Sequence, residues 1–289
     1  MINFSLPLRI HCWGGFGSQL FALALAMDIN SQSPNKKICM VFHSAGVTSR
    51  SLELTNLPNF IQVKVVDDFK QITEFTSVYR NFKTVIFRLA KFFLRLTYLN
   101  LELENNWQLK QIKPWTRAVR GHYSGRAISS YSIERLSEIF IGRNAIRDLG
   151  SIYSNSVGLH YRLGDLLNLN SKTYIAPNRL HDVVSKLESE QEVHRLDVYS
   201  DSGGKAFDLL KSLQNILELK VITLEVNEVI KRLVQYDYFI GTNSKITIWA
   251  VLFRINQSSE LINFVPTEIK SYLELNIANS NYSSQITYY

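Results

Sequence analysis

Residues 158–165 read GLHYRLGD, and the fold follows from how they are interpreted. The apolar run at 157–161 has the length and composition of a buried strand, yet within a few positions it meets His160, Arg162, Gly164 and Asp165. A strand that only builds a sheet has no use for ionised side chains at its carboxyl end. Open α/β sheets gather their ligands there.

Downstream, apolar runs at 196–200, 220–224, 238–241 and 261–265 alternate with helical patterns at 179–190, 204–214, 227–235 and 244–254. Strands alternating with helices predict a parallel, doubly wound sheet. Upstream, Leu8 to Trp13 reads as a short strand, Gly14-Gly15-Phe16-Gly17 as a loop, and Ser18-Gln19-Leu20 as the opening of a Leu/Ala-rich helix that fades near Ser31. Further strands are expected at 37–43 and 60–66, then a long helical run at 71–98. The expected architecture is therefore α/β with two Rossmann-like domains, 1–150 and 151–289, divided after the helical stretch 132–147. From Asn276 the chain is uncharged and Asn/Ser-rich, and is expected to be a surface tail.

Composition narrows the class. Of the 289 residues 46% are hydrophobic and 20% charged, which excludes a disordered chain. The formal net charge of +7 suits a phosphorylated ligand, nucleic acid or an anionic membrane surface without selecting among them. Cys12 and Cys39 lack the spacing of a metal site or a disulfide framework and point to a reducing, cytoplasmic compartment. The amino terminus lacks the pattern of a signal peptide, and no run reaches the roughly 20 apolar residues of a membrane span. The sequence is thus expected to be neither exported by a leader nor integral to a membrane.

Three polar clusters end strands of the second half: His160/Arg162/Asp165, Ser200-Asp201-Ser202, and Thr242-Asn243-Ser244-Lys245 at the start of a helix. Clusters at one edge of one sheet suggest one site. Small hydroxyl and amide residues at a helix start either cap it or seat an anion with its unpaired amides. Arg162 can hold a diphosphate as a planar fork or pair with Asp165 to fix the loop. Asp201 can cap the following helix or accept hydrogen bonds from a nucleoside. In the first half, Gly15-Phe16-Gly17 begins a dinucleotide pattern, but Leu20 stands where the third glycine belongs, and no Gly-Lys-Ser/Thr completes a phosphate loop.

Taken together, WGGFGSQLFALALA, GLHYRLGD, VYSDS and YDYFIGTNSKITIWAVLF resemble, in order and spacing, the motifs of the bacterial α-1,2-fucosyltransferases. The resemblance implies two facing Rossmann-like domains of the GT-B type, with the acceptor side in the first and the nucleotide sugar in the second. It implies inverting transfer of fucose from GDP-fucose to a saccharide of a bacterial surface polysaccharide such as an O-antigen, with no metal and no further cofactor. It also implies that Arg162 holds the donor diphosphate and His160 lines its pocket. Asp201, after Ser200, would meet the nucleoside, Asn243, Ser244 and Lys245 would seat a phosphate, and Gly14, Gly15 and Gly17 would form the loop across the cleft. Leu163 replaces a second arginine of the family motif, which removes one contact to the diphosphate, and as an exposed apolar residue it could equally line a pocket for a different sugar.

Inverting transfer needs positive charge on the leaving diphosphate and a base for the acceptor proton. Arg162 supplies the first, and Asp165 is the nearest carboxylate for the second. A non-catalytic nucleotide or glycan binder of the same fold is the alternative, and no nucleic-acid partner is expected. In residues 82–96, Arg88, Lys91 and Arg95 recur at helical spacing against Val85, Ile86, Leu89, Phe92, Phe93 and Leu96. That pattern fits peripheral contact with the inner face of a membrane, and fits a core helix with one solvated basic face equally.

Overall fold

The computed structural model describes residues 7–44, 50–66, 93, 99–103, 108–121, 123–142, 153, 155–164, 174–258, 260–277 and 284–289. The helical run expected at 71–98, with Arg88, Lys91 and Arg95, lies outside the described residues apart from Phe93, and so does Asp165. The chain divides into two compact units, Met1–Ser132 and Ile133–Tyr289; sequence patterning alone had placed the division near residue 150.

The first unit is built on β1 (Leu8–Trp13), α1 (Phe16–Gln32), β2 (Ile38–His43), β3 (Ile61–Val66), β4 (Asn100–Leu103) and β5 (Ala118–Gly121). Its sheet has the order β3-β2-β1-β5-β4, and every pairing is parallel. Helix α1 is rich in Leu and Ala, strong helix formers, and is buried almost continuously from Phe16 to Ile29. Such all-round burial marks a central helix rather than a surface one. Within it, the buried Asp28 receives hydrogen bonds from Arg126, Ser129 and Ser132, the last at 2.5 Å. Helix α2 (Ser130–Phe140) then carries the chain into the second unit. Strands β4 and β5 escaped sequence patterning because runs of only four residues, NLEL and AVRG, give too little alternation to read.

In the second unit β6 (Ser156–His160), β7 (Arg195–Tyr199), β8 (Glu218–Ile222), β9 (Tyr238–Gly241), β10 (Ile262–Val265) and β11 (Ile286–Tyr288) form a sheet of order β11-β10-β9-β6-β7-β8. All pairings are again parallel. Between the strands lie α3 (Pro177–Glu190), α4 (Gly203–Leu210), α5 (Val226–Leu233), α6 (Lys245–Gln257) and α7 (Lys270–Ile277). From β6 the chain winds outward through β7 and β8, then returns to the other side of β6 and winds outward through β9 to β11. The order reverses between β6 and β9, the topological switch point where open α/β sheets bind ligands. Val157, Leu159, Leu196, Val198 and Ile240 pack with Leu180, Val184 and Leu187 of α3 in the core.

Two features of this unit bear on the site. Arg254, near the end of α6, is fully buried and donates to Asn263 Oδ1 at 2.6 Å and to the carbonyls of Leu233 and Tyr236. Burial lowers its pKa to about 9. The network fastens α6 to the loop that precedes β9 and to the strand that follows the helix. The expected surface tail is not one: Ile286–Tyr288 pairs with β10 as a sixth strand. The Tyr289 hydroxyl donates to the Gly241 carbonyl at 2.7 Å, and Arg179 donates to the Tyr289 carbonyl at 2.9 Å. A short uncharged strand is stabilised by its neighbour in space, which composition does not reveal. Among the described residues no helix is long and apolar enough to cross a membrane.

Candidate functional site

The carboxyl ends of β6, β7 and β9 bring the three polar clusters to one edge. After β9, Thr242 donates its hydroxyl to the carbonyl of His160 at 2.9 Å and accepts from the amide of Arg162 at 3.3 Å. One threonine thus ties the two loops that flank the switch point. Ser244 caps α6, its Oγ accepting from the Thr247 amide at 3.1 Å. That leaves the rest of the first turn with amides that helix geometry directs out of the end.

His160 lies beneath this cap. Its Nδ1 is 3.2 Å from Ser244 Oγ and 3.3 Å from Thr247 Oγ1, and the residue is 9% exposed. Burial, with the charge of Arg162 adding to it and that of Asp201 opposing, lowers its pKa to about 4. At neutral pH the ring is therefore uncharged and shares hydrogen bonds with the two hydroxyls. It positions Ser244. Arg162 is part-exposed, and its charge reaches His160 beneath the cap.

Asp201, after β7, faces the loop that follows β6. Its Oδ1 accepts the amides of Leu163 and Gly164, both at 3.0 Å, so the carboxylate holds the loop that carries Arg162. A Cβ on Gly164 would lie 2.4 Å from Asp201 Oδ2, so only glycine admits this approach. Ser200, nearly buried, accepts from the Ser202 amide at 3.2 Å and shapes the turn. Asn243 and Lys245 are part-exposed beside Ser244. Leu163 is not an exposed pocket residue as expected: it is fully buried in the core of the second unit. The loop turns its side chain inward while the paired amides of Leu163 and Gly164 face Asp201.

The glycine loop of the first unit is occupied by its own chain. Gly14 has φ +89°, a conformation suited to glycine. Gly15 is the N-cap of α1, and Gly17 is buried in its first turn. The Phe16 amide donates to Glu53 Oε2 at 2.6 Å. Gln19, 1% exposed, donates to the carbonyls of Gly14 and Ser51 and accepts from the amides of Glu53 and Leu54. Sequence reasoning gave Gln19 and Glu53 no role. The readable signal was a glutamine inside an otherwise apolar helix, since a buried amide must find partners.

A further cluster missed from sequence lies where β1 and β2 end. His11 Nδ1 and His43 Nε2 are 2.8 Å apart, and Trp13 stacks on His43 with ring centroids 4.3 Å apart. The Tyr123 hydroxyl donates to the His11 carbonyl at 2.6 Å.

No protein-family model matches the sequence, and no curated protein matches it. Solved structures do resemble it. The E. coli ADP-heptose lps heptosyltransferase II is 6% identical, with 98% of this chain and 90% of that one covered at a TM-score of 0.51. The E. coli heptosyltransferase WaaC with ADP-2-deoxy-2-fluoro heptose is 9% identical, with 98% and 93% covered at a TM-score of 0.50. POFUT1 in complex with GDP-fucose is 11% identical, with 91% and 98% covered at a TM-score of 0.43. Identities this low show a fold: the two-unit, parallel-sheet α/β fold of the GT-B glycosyltransferases.

Proposed function

We propose that the protein is a glycosyltransferase that moves a sugar from a nucleoside-diphosphate donor to a hydroxyl of a saccharide acceptor. The observation that carries this reading is that the loop of Arg162 is tied to the loop before the capped amino end of α6 at the switch point of the second sheet, with the Arg162 charge reaching His160 beneath the cap. A diphosphate placed there meets a permanent cation and the positive end of a helix dipole. The likeness in fold to the two heptosyltransferases supports the same reading.

The acceptor oxygen attacks the anomeric carbon in line, and the bond from that carbon to the diphosphate oxygen breaks with its electron pair leaving on the diphosphate. Arg162 and the α6 amides stabilise that charge as it develops. Asp165 takes the acceptor proton. No divalent ion is required on this scheme, and activity should survive excess EDTA. The motif resemblance favours GDP-fucose as donor and an acceptor from a bacterial surface polysaccharide, carried on a lipid. The cytoplasm is the compartment that suits two free thiols, Cys12 and Cys39.

The deciding experiment measures thermal protection by GDP, UDP and ADP, then nucleotide release from GDP-fucose, GDP-mannose, ADP-heptose and UDP-sugars offered with a saccharide acceptor. Protection together with transfer is expected, GDP protecting best. Stronger protection by UDP or ADP would reject the guanosine donor. Protection without turnover from any donor would make the protein a binder.

A further inference from the structure

We propose that Tyr289 is a positioning residue for the phosphate seat of the second unit: its hydroxyl sets the peptide between Gly241 and Thr242, from which the Arg162 loop and the α6 cap are both held. This inference rests on the glycosyltransferase reading above.

Tyr289 follows β11, Gly241 ends β9, and β10 lies between those two strands. A long side chain is needed to cross it. The Tyr289 hydroxyl does so, donating to the Gly241 carbonyl at 2.7 Å, while the ring packs against the core of the unit. Burial, opposed by the charge of Arg179, raises the pKa of the phenol, so the group stays protonated and remains a donor.

The residue is itself anchored on several sides. Its amide donates to the Val265 carbonyl at 3.0 Å, and its carbonyl accepts from the Thr267 amide at 3.0 Å and from Arg179 at 2.9 Å. Arg179, in the first turn of α3, also donates twice to Glu268, at 2.6 and 3.2 Å, and its guanidinium lies 5.4 Å from the centroid of the Tyr289 ring. The hydroxyl is thus delivered from a fixed frame.

Its target matters because a peptide unit is planar: holding the Gly241 oxygen also orients the Thr242 amide. From Thr242 the constraint spreads to both halves of the seat. The Thr242 hydroxyl bonds the His160 carbonyl and the Arg162 amide, and its carbonyl accepts the Ser244 amide at 2.7 Å. Gly241 also meets α6 directly. A Cβ there would lie 2.1 Å from Thr247 Cγ2, and Thr247 is the residue whose amide Ser244 caps. A shift of this peptide therefore displaces the Arg162 loop and the Ser244 cap together, and preorganised groups lose their effect when their support loosens.

The test compares the full chain with Tyr289→Phe by isothermal titration with GDP, with UDP and ADP alongside. The substitution removes the hydroxyl alone and should weaken nucleotide binding about threefold to tenfold, the contribution of one hydrogen bond, while far-UV circular dichroism stays unchanged. Amide hydrogen exchange should quicken in peptides covering 160–164 and 241–247. Ile230→Val, a truncation in the core of α5, should lower stability yet bind nucleotide as the wild type does. Equal affinities for the wild type and Tyr289→Phe overturn the proposal. Faster exchange confined to 286–289 would mark a residue that only fastens its own strand, and overturns it too. So does an equal loss of affinity in Ile230→Val, because binding would then follow overall stability. A wild type that binds none of the three nucleotides instead overturns the reading of the site, and this proposal with it.

Discussion

Helices α1 and α6 each follow a strand of a parallel sheet through a short loop of small residues, yet their amino ends have opposite chemistry. At α1 a carboxylate of the same chain, Glu53, accepts the Phe16 amide, and Gln19 closes the loop around it. At α6 the cap is a neutral hydroxyl, the histidine beneath it is uncharged at neutral pH, and the charges that reach that histidine are those of Arg162 and, opposing it, Asp201. One helix end already has its anion, and the other is the end proposed above as the seat of a phosphate. A strand–loop–helix unit alone therefore does not identify a phosphate site; the charge of whatever fills the helix end does.

The comparison breaks most sharply at Arg162. Arg162→Ala should cost about 2–4 kcal/mol of transition-state stabilisation with thermal stability preserved, and Arg162→Lys should recover little because an ammonium lacks the fork. Steady-state transfer rates check this, and an Arg162→Ala variant that turns over normally would remove the site from the second unit.

The uncharged state of His160 predicts a pH effect of similar size. Its folded-state pKa of about 4 lies below the ordinary 6.5, so between those values the unfolded chain binds the extra proton. Its contribution is fully present above pH 6.5 and is lost as pH falls toward 4, about 3 kcal/mol in all at about 1.4 kcal/mol per unit. Urea denaturation of the wild type and of His160→Gln through this window should show a flatter dependence for the variant. Parallel curves would show that the ring is not held neutral.

Ser244→Ala removes the cap of α6 and should destabilise by about 1 kcal/mol, with nucleotide protection falling alongside. At the other helix, Glu53→Gln should cost only about 0.3–1 kcal/mol and leave nucleotide protection untouched. It sharpens the contrast in a second way: Glu53→Ala should gain more stability from added sulfate than the wild type does, because an emptied helix end accepts a free anion. Equal sulfate responses would show that Glu53 is not acting as the anion.

Strand–helix alternation, the glycine loop and the polar residues ending β6, β7 and β9 were legible because each is written within a few consecutive residues. What fills each site was not. Glu53 is 37 positions from Phe16, and Asp201 is 38 from Leu163. Nothing local marks either pairing, since a carboxylate on a loop is ordinary until its partner is known. The sequence by itself therefore determined two parallel-sheet units and the strand end at which chemistry would gather. Only the tertiary structure decided that Leu163 turns into the core, that Asp201 holds the arginine loop, that the last residues form a sixth strand, and that Glu53 fills the amino end of α1. Periodicity is a property of neighbours along the chain, whereas hydrogen-bond satisfaction and burial are settled among groups the fold brings together from far apart.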